Sequence, residues 1–372
     1  MKLQRHGLVA ALLAASALLL AGCGSDPVPA GGGAGAPAAG GPAVDCGGKE
    51  NLSAEGSSAQ KNAMDAFVQA YQAACPGHNV AYNPTGSGAG IKQFSAGLVD
   101  FGGSDSPLSQ EKGEVAAAAE RCQGNPAWNL PLVFGPVALA YKIEGVTNLV
   151  LTAEVAAKLF NGQITTWNDP AIAALNPGVD LPDTPVKVIY RSDESGTTDN
   201  VQQYLAAASK GAWTQGTGKK FNGGVGSGAE KSSGVAQAVA ATEGSISYVE
   251  LSFAQDAKLS IARIDSGSGP VELTAENVGK AIEGAKVIGS GNDLVIDLKG
   301  VYAEPAPGSY PLILATYEIV CSQGYDADTA KAVKAFLTVA ATTGQANLAD
   351  AGYAPLPASF QEKLLTAVTA IA

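Results

Sequence analysis

The octet Arg191-Ser192-Asp193-Glu194-Ser195-Gly196-Thr197-Thr198 concentrates side chains suited to holding an oxyanion. It lies between a strand-like run, Val186 to Tyr190, and a helix-like run from Asp199 to Ala208. The free N–H groups of a helix's first turn point outward, and the helix dipole adds partial positive charge there. The hydroxyls of Ser195 and Thr197 can rotate to donate, and Arg191 offers a planar fork for two anion oxygens. An N-cap beside a surface Arg–Asp pair would use the same residues, so the octet needs support from elsewhere in the chain.

Three further segments share its composition. Glu55-Gly56-Ser57-Ser58-Ala59 lies between a short strand, Asn51 to Ser53, and a helix. Thr85-Gly86-Ser87-Gly88-Ala89-Gly90-Ile91 follows the strand Asn79 to Tyr82, and Gly102-Gly103-Ser104-Asp105 follows the strand Leu98 to Phe101. Each places small hydroxyl or glycine residues at the carboxyl end of a strand, where open α/β sheets bind ligands. Gly86-x-Gly88 lacks the third glycine of a dinucleotide fingerprint. Four loops of one chemistry at equivalent strand ends point to one anion site.

The elements that must position these loops follow an alternating rhythm. Met64, Phe67, Val68 and Tyr71 fall at i, i+3, i+4 and i+7, a helix with one apolar face that ends before Pro76-Gly77. Another helix is expected after Pro107. Thr152 caps one that runs to Phe160 and ends at Asn161-Gly162, and two C-terminal helices cover about 326–342 and 357–371. With strands at Ile246 to Val249 and Ile313 to Val320, the pattern is an α/β fold with mostly parallel sheets. The apolar runs Pro131 to Ile143 and Tyr310 to Val320 exceed the usual ~5–6-residue strand. Both are expected to pass between two lobes as a two-stranded hinge. About 325 residues beyond Gly48 would also outgrow a single core. There is no internal repeat.

The first 22 residues form a secretory signal: Lys2 and Arg5, then an apolar run from Leu8 to Leu20 too short to span a bilayer. Leu20-Ala21-Gly22-Cys23 resembles the lipobox of bacterial lipoproteins, which implies acylation of Cys23. Residues 23–47, rich in Gly, Ala and Pro, read as a flexible linker. Loss of Lys2 and Arg5 with the signal takes the formal charge from −11 to −13. Such an acidic protein is a poor partner for nucleic acid or for anionic lipid surfaces. A recessed site can still be locally positive.

With Cys23 assigned to lipid, Cys46, Cys75, Cys122 and Cys321 remain, and an exported chain would join them as two disulfides. Three pairings are possible. Cys46–Cys75 with Cys122–Cys321 is favoured because each would join elements that the topology places close together. No CxxC spacing points to a zinc site. Enzyme signatures also fail. Ala229-Glu230 precedes Lys231-Ser232 where a phosphate loop needs glycine, no Gly-x-Ser-x-Gly elbow occurs, and His78, the one histidine after the signal, is expected exposed in a turn.

Together these segments resemble the phosphate-binding proteins of bacterial high-affinity phosphate ABC transporters. The likeness rests on Gly56-Ser-Ser58, Gly86 to Gln93, Val99 to Asp105, Asn161 to Gly178, Arg191 to Thr197, Gly244 to Val249 and Tyr310-Pro311. It implies a two-lobed, periplasmic-binding-protein-like fold of type II, with two mixed sheets, a two-stranded hinge and the ligand in the cleft. The first lobe would comprise residues 48–136 and 316–372, the second 137–315. The anion would meet the Ser58 hydroxyl, Ala59 amide, Ser87 hydroxyl and Asp105 carboxylate from the first lobe. Arg191, the Ser195 hydroxyl and amide, the Gly196 amide and the Thr197 hydroxyl and amide would come from the second, with Asp193 holding the Arg191 fork. No cofactor, metal or catalytic residue is implied.

The implied partners are inorganic phosphate and the permease subunits. The protein would be a monomer on the outer face of the cytoplasmic membrane, touching the membrane only through lipid on Cys23. The chain departs from the family in two places. Ser58-Ala59 stands where Thr then Phe is frequent, and Glu194 adds a negative charge expected near the cleft mouth. A binding protein for sulfate or molybdate is the nearest alternative, and Asp105 argues against it. A phosphate-ester-processing enzyme and a surface adhesin without a small ligand are more remote.

Overall fold

The computed structural model describes residues 44–372; the signal, Cys23 and the linker as far as residue 43 lie outside the described residues. Strand β1 (Asn51–Gly56) alternates outward and inward, burying Leu52, Ala54 and Gly56. Helix α1 (Lys61–Ala74) buries Met64, Phe67 and Tyr71 as its spacing predicts, and gives out at Cys75 before Pro76-Gly77. That turn lays His78 edge-on to Tyr71, with ring centroids 6.0 Å apart, so the histidine is partly buried rather than exposed. β2 (Asn79–Asn83) and β3 (Phe101–Ser104) lie parallel on either side of β1. Between them α2 (Ser87–Ser95) starts within the Gly86-Ser87-Gly88 loop.

Two boundaries differ from expectation. β3 begins at Phe101, not Leu98, because Gly97 (φ +70°) turns the chain after α2 and leaves Leu98 68% exposed. The helix expected directly after Pro107 is α3 (Glu114–Arg121); it waits for Gly113 (φ +71°) to reverse the intervening turns.

The hinge is built from β4 (Ala127–Lys142) and β8 (Ile313–Cys321). β4 pairs with β8 antiparallel from Ala127↔Cys321 to Pro136↔Ile313, then changes partner at Val137. Its second half pairs with β7 (Ser245–Glu250), which runs parallel to β5 (Lys187–Arg191), itself parallel to β6 (Ser227–Ala229). Pro131 faces the register shift between Thr316 and Tyr317, where its missing N–H costs no ladder bond. The strands therefore form one continuous path, β2-β1-β3-β8-β4-β7-β5-β6, that runs through both lobes. The outer ladders are parallel and the hinge ladders antiparallel, so the sheets are mixed rather than mostly parallel.

In the second lobe α4 (Ala153–Phe160) starts as expected, with Thr152 accepting the Val155 N–H. α5 (Gly196–Ala208) begins three residues before the predicted start. The Ser195 hydroxyl caps it by accepting the Thr198 N–H, so Gly196, Thr197 and Thr198 are its first turn. α6 (Lys231–Ala241) follows β6. The C-terminal helices α7 (Ala327–Ala341) and α8 (Ala358–Thr369) return to the first lobe, where Phe336 stacks on Phe101. Cys46 is bonded to Cys75 and Cys122 to Cys321, the second bridge spanning 199 positions of sequence. Among the described residues no helix is long and apolar enough to cross a membrane.

Candidate functional site

Four helix starts converge where the lobes meet. α1 and α2 come from the first lobe, and α5 and α6 from the second. Their loops carry almost every residue singled out in the sequence, and all are nearly sealed from solvent: Ser58, Ser87, Asp105, Arg191, Ser195 and Thr197 are each at most 3% exposed.

Asp105 is the centre of the first-lobe half. Its Oδ1 accepts the hydroxyls of Ser57 (2.5 Å) and Thr316 (2.8 Å), and its Oδ2 accepts that of Ser87 (3.1 Å). A carboxylate has about four lone-pair sites, so one place on Oδ2 is left for a further donor. Burial pushes the Asp105 carboxyl up to about 6; the Ser57 hydrogen bond opposes this and the nearby Glu250 charge adds to it. It caps no helix, because α3 starts nine residues later on Gly113.

Arg191 dominates the second-lobe half. Its Nε donates to Asp193 Oδ1 at 2.8 Å and its Nη2 to Asp193 Oδ2 at 2.5 Å, so Asp193 grips one side of the guanidinium. Burial works against the Arg191 charge, but the Asp193 pairing outweighs it and keeps the guanidinium firmly protonated. Burial alone would raise Asp193; its bonds to Arg191 and to the Lys231 amide hold it below the usual carboxylate range. The other edge of the fork, Nη1, points at Ser232 Oγ (3.3 Å) and Thr197 Oγ1 (3.5 Å).

The two halves touch directly. Ser58 Oγ pairs with Ser232 Oγ (3.0 Å) and accepts the Ser232 N–H (3.1 Å). Ser87 Oγ accepts the N–H of Gly196 (3.1 Å), and Asn200 Nδ2 donates to the Asp105 carbonyl (2.6 Å). Glycine is obligatory at 196, since a Cβ there would sit 2.6 Å from both Asp105 Cβ and Ser87 Oγ. At the rim, Lys92 meets Glu194 at 2.6 Å and Lys219 meets Glu114 at 3.0 Å, each across the cleft.

Several of the expected donors have partners within the protein. The Ala59 amide donates to Ser57 Oγ, which folds back over its own turn, and the Ser195 amide donates to the Lys219 carbonyl. The Ser195 hydroxyl is the cap of α5, and the Thr197 hydroxyl donates to Glu250 Oε1. In this arrangement both amides and the Thr197 hydroxyl are engaged within the protein, while the Ser195 hydroxyl, used as an acceptor, keeps its O–H to donate. Glu194 does not leave an unpaired charge at the mouth. Lys92 holds its carboxyl low, and Lys220 stands 3.7 Å away on the other side.

Ser57, Ser232, Glu250 and Thr316 bond to the candidate residues and were not foreseen. Ser57 and Ser232 lay inside segments already singled out, one beside Ser58 and one in the discounted phosphate-loop match. Glu250 and Thr316 sit on strands whose apolar runs gave no such signal.

Comparison with known proteins places the chain. A domain model of the PBP superfamily matches residues 35–342. "Phosphate-binding protein PstS2" of Mycobacterium bovis is 52% identical over the whole of both chains. "Phosphate-binding protein PstS" of Xylella fastidiosa is 32% identical over 78% of each. Among solved structures, a high affinity periplasmic phosphate-binding protein bound with phosphate matches with a TM-score of 0.68 at 24% identity, over 85% of this chain and 93% of that one. A phosphate-binding protein from Stenotrophomonas maltophilia gives a TM-score of 0.65 at 21% identity, over 86% and 94%. At those identities the likeness is one of fold.

Proposed function

Because the chain belongs to the PstS family of phosphate-binding proteins within the PBP superfamily, we propose that it captures inorganic phosphate outside the cytoplasm. It would then hand the anion to the permease subunits of a phosphate ABC transporter. The observation that carries this reading is the buried meeting of Arg191 with Ser58, Ser87, Asp105 and the first turn of α5 between two lobes. On this reading the lobes are residues 48–136 with 316–372, and 137–315, divided where β4 changes partner. Cys23 would carry the lipid anchor, and the protein would act as a monomer by binding alone.

A phosphate ion inserted between the lobes takes over bonds that now run from lobe to lobe. Its oxygens replace Ser87 as acceptor of the Gly196 N–H, and replace Ser232 and Thr197 opposite the free edge of Arg191. Ser58 and Ser232 then donate to the anion instead of to each other, which adds Ser232 to the binding set. A phosphate O–H donates to the open place on Asp105 Oδ2. Sulfate brings no proton near neutral pH, so it would face an ionised carboxylate in a sheltered cleft, and such repulsion is poorly screened. Molybdate, likewise proton-free, is rejected for the same reason.

Equilibrium dialysis of the protein lacking residues 1–22 against labelled phosphate tests the reading, with sulfate and molybdate as competitors. One phosphate per chain, displaced by neither competitor at hundredfold excess, is expected. Displacement by sulfate or molybdate would move the assignment to another oxyanion. Absence of any binding would leave a structural or adhesive role.

A further inference from the structure

On one side of the cleft mouth the two lobes border a cavity of about 470 Å³. The first lobe supplies Lys92 from α2 and Lys112 just ahead of α3, and the second supplies Lys219 and Lys220 from the loop after α5. Two carboxylates share the space, and each is already paired: Glu194 with Lys92 at 2.6 Å, and Glu114 with Lys219 at 3.0 Å. Lys220 stands 3.7 Å from the occupied Glu194, and Lys112 forms no ion pair among the described residues. Four lysines against two glutamates leave a surplus of two positive charges, in a chain whose formal charge is −11. A second cavity between the lobes, about 430 Å³, reaches Asp105, but four acids face three lysines on its walls. Of these two approaches to the anion cleft, the first alone is positive.

The lysines are tied to the residues of the candidate site. Gln202 of α5 donates to the carbonyls of Gly218 (2.8 Å) and Lys220 (3.0 Å) and accepts the Asn222 N–H (2.8 Å), which pins the loop to the helix. The Lys219 carbonyl accepts the N–H of Ser195, the cap of α5, at 2.9 Å. Lys112 leans across from the first lobe, its Nζ 3.6 Å from where a Gly218 side chain would begin. The side chains of Lys92 and Lys220 are 72% and 78% exposed, so they meet solvent while Arg191 behind them is sealed. A recess lined by one sign of charge focuses its field and raises the local concentration of counter-ions. We propose that this basic recess is a capture site for inorganic phosphate, which is drawn in from solution and passes to Arg191 when the lobes part. This deepens the phosphate-binding reading and rests on it. Lysine offers charge without an oriented fork, so the recess draws phosphate and sulfate alike and leaves discrimination to Asp105. A rim charge acts on encounter and is left outside once the cleft shuts, so the gain falls on the association rate.

The test compares wild type with the double variant Lys112→Gln, Lys220→Gln, which removes the surplus and leaves both rim pairs. A second double variant, Lys142→Gln, Lys258→Gln, removes the same charge elsewhere. Those two lysines border a separate cavity, and Lys142 pairs with Ser245 beside Lys187, at the end of β5 away from Arg191. Equilibrium dialysis of labelled phosphate gives the dissociation constant, and a chase with unlabelled phosphate gives the dissociation rate. The association rate is their quotient. At roughly 10 mM ionic strength, where charges act over about 30 Å, the recess variant should associate about fivefold more slowly than wild type. At about 1 M, where they act over about 3 Å, the two should agree within about twofold. The dissociation rate should be unchanged, and the remote variant should follow wild type throughout. An association rate unaffected in the recess variant would overturn the proposal, as would equal slowing in both variants, which would make net charge the cause. A loss confined to the dissociation rate would also overturn it, since the lysines would then hold the closed form. A wild type that binds no phosphate would instead defeat the phosphate reading on which the proposal stands.

Discussion

At the scale of single residues, the proposed function assigns discrimination to Asp105 and attraction to Arg191. Asp105 is accepting from three hydroxyls and has room for one more donor, so the ligand that suits it must bring a proton. Asp105→Asn keeps the shape and replaces repulsion with an amide donor. Calorimetry should find a narrower phosphate-over-sulfate preference in this variant, by tenfold or more, since an unpaired charged group costs more than ~1–3 kcal/mol. An unchanged preference would remove Asp105 from the discriminating role. The same ratio should respond to pH. The folded-state value of about 6 lies above the ordinary 3.8, so in the ligand-free protein the carboxylate is present above about pH 6 and becomes a donor below it. Sulfate should therefore compete better at pH 5 than at pH 7.5 in wild type and gain little in Asp105→Asn. Arg191→Lys retains charge but loses the edge that Asp193 holds, and binding should weaken by about 1.5–3 kcal/mol, read as the phosphate dissociation constant. Much of the candidate cluster was visible in the chain, because Arg, Ser and Gly at strand ends announce themselves locally. Glu250 and Thr316 did not, because their role depends on which strand lies beside which: Thr197 is 53 positions from Glu250 and Asp105 is 211 from Thr316.

Among the elements, helix starts were legible where a cap residue is unmistakable. Thr152 set α4 and Asp326 set α7, each accepting an N–H of the first turn. The start of α5 was missed by three residues because Gly196-Thr197-Thr198 has poor intrinsic helix propensity. Tertiary bonds override that tendency: Thr198 Oγ1 meets the Tyr248 hydroxyl at 2.8 Å and Gly196 N–H meets Ser87 Oγ. The close approach at Gly196 leads to an element-level test. Gly196→Ala should leave α5 intact by circular dichroism but hold the lobes apart, weakening phosphate binding at least tenfold; affinity equal to wild type would show that this contact is not part of the bound state. Cys122–Cys321 ties the end of α3 to the end of β8 across 199 positions. Removing it as the double Cys122→Ser, Cys321→Ser variant should lower stability by ~2–5 kcal/mol in denaturant unfolding. A midpoint within error of wild type would show the bridge to be dispensable.

For the molecule as a whole, the two long apolar runs gave the hinge, and the alternation of strands and helices gave the lobes. The continuity of the sheet could not be read from sequence, because it depends on β4 exchanging β8 for β7 at Pro136–Val137. A bound anion would replace the central lobe-to-lobe bond between Ser58 and Ser232 with bonds from both sides to itself, while the Lys92–Glu194 pair still closes the rim. A ligand that bridges two lobes favours the closed arrangement by its differential affinity for it. Small-angle scattering of the protein lacking residues 1–22, titrated with phosphate and in parallel with sulfate, addresses this directly. The radius of gyration should fall and saturate at one equivalent of phosphate, and sulfate at the same concentrations should leave it unchanged. A radius indifferent to phosphate, in a sample that demonstrably binds it, would mean that the anion is not gripped between the lobes.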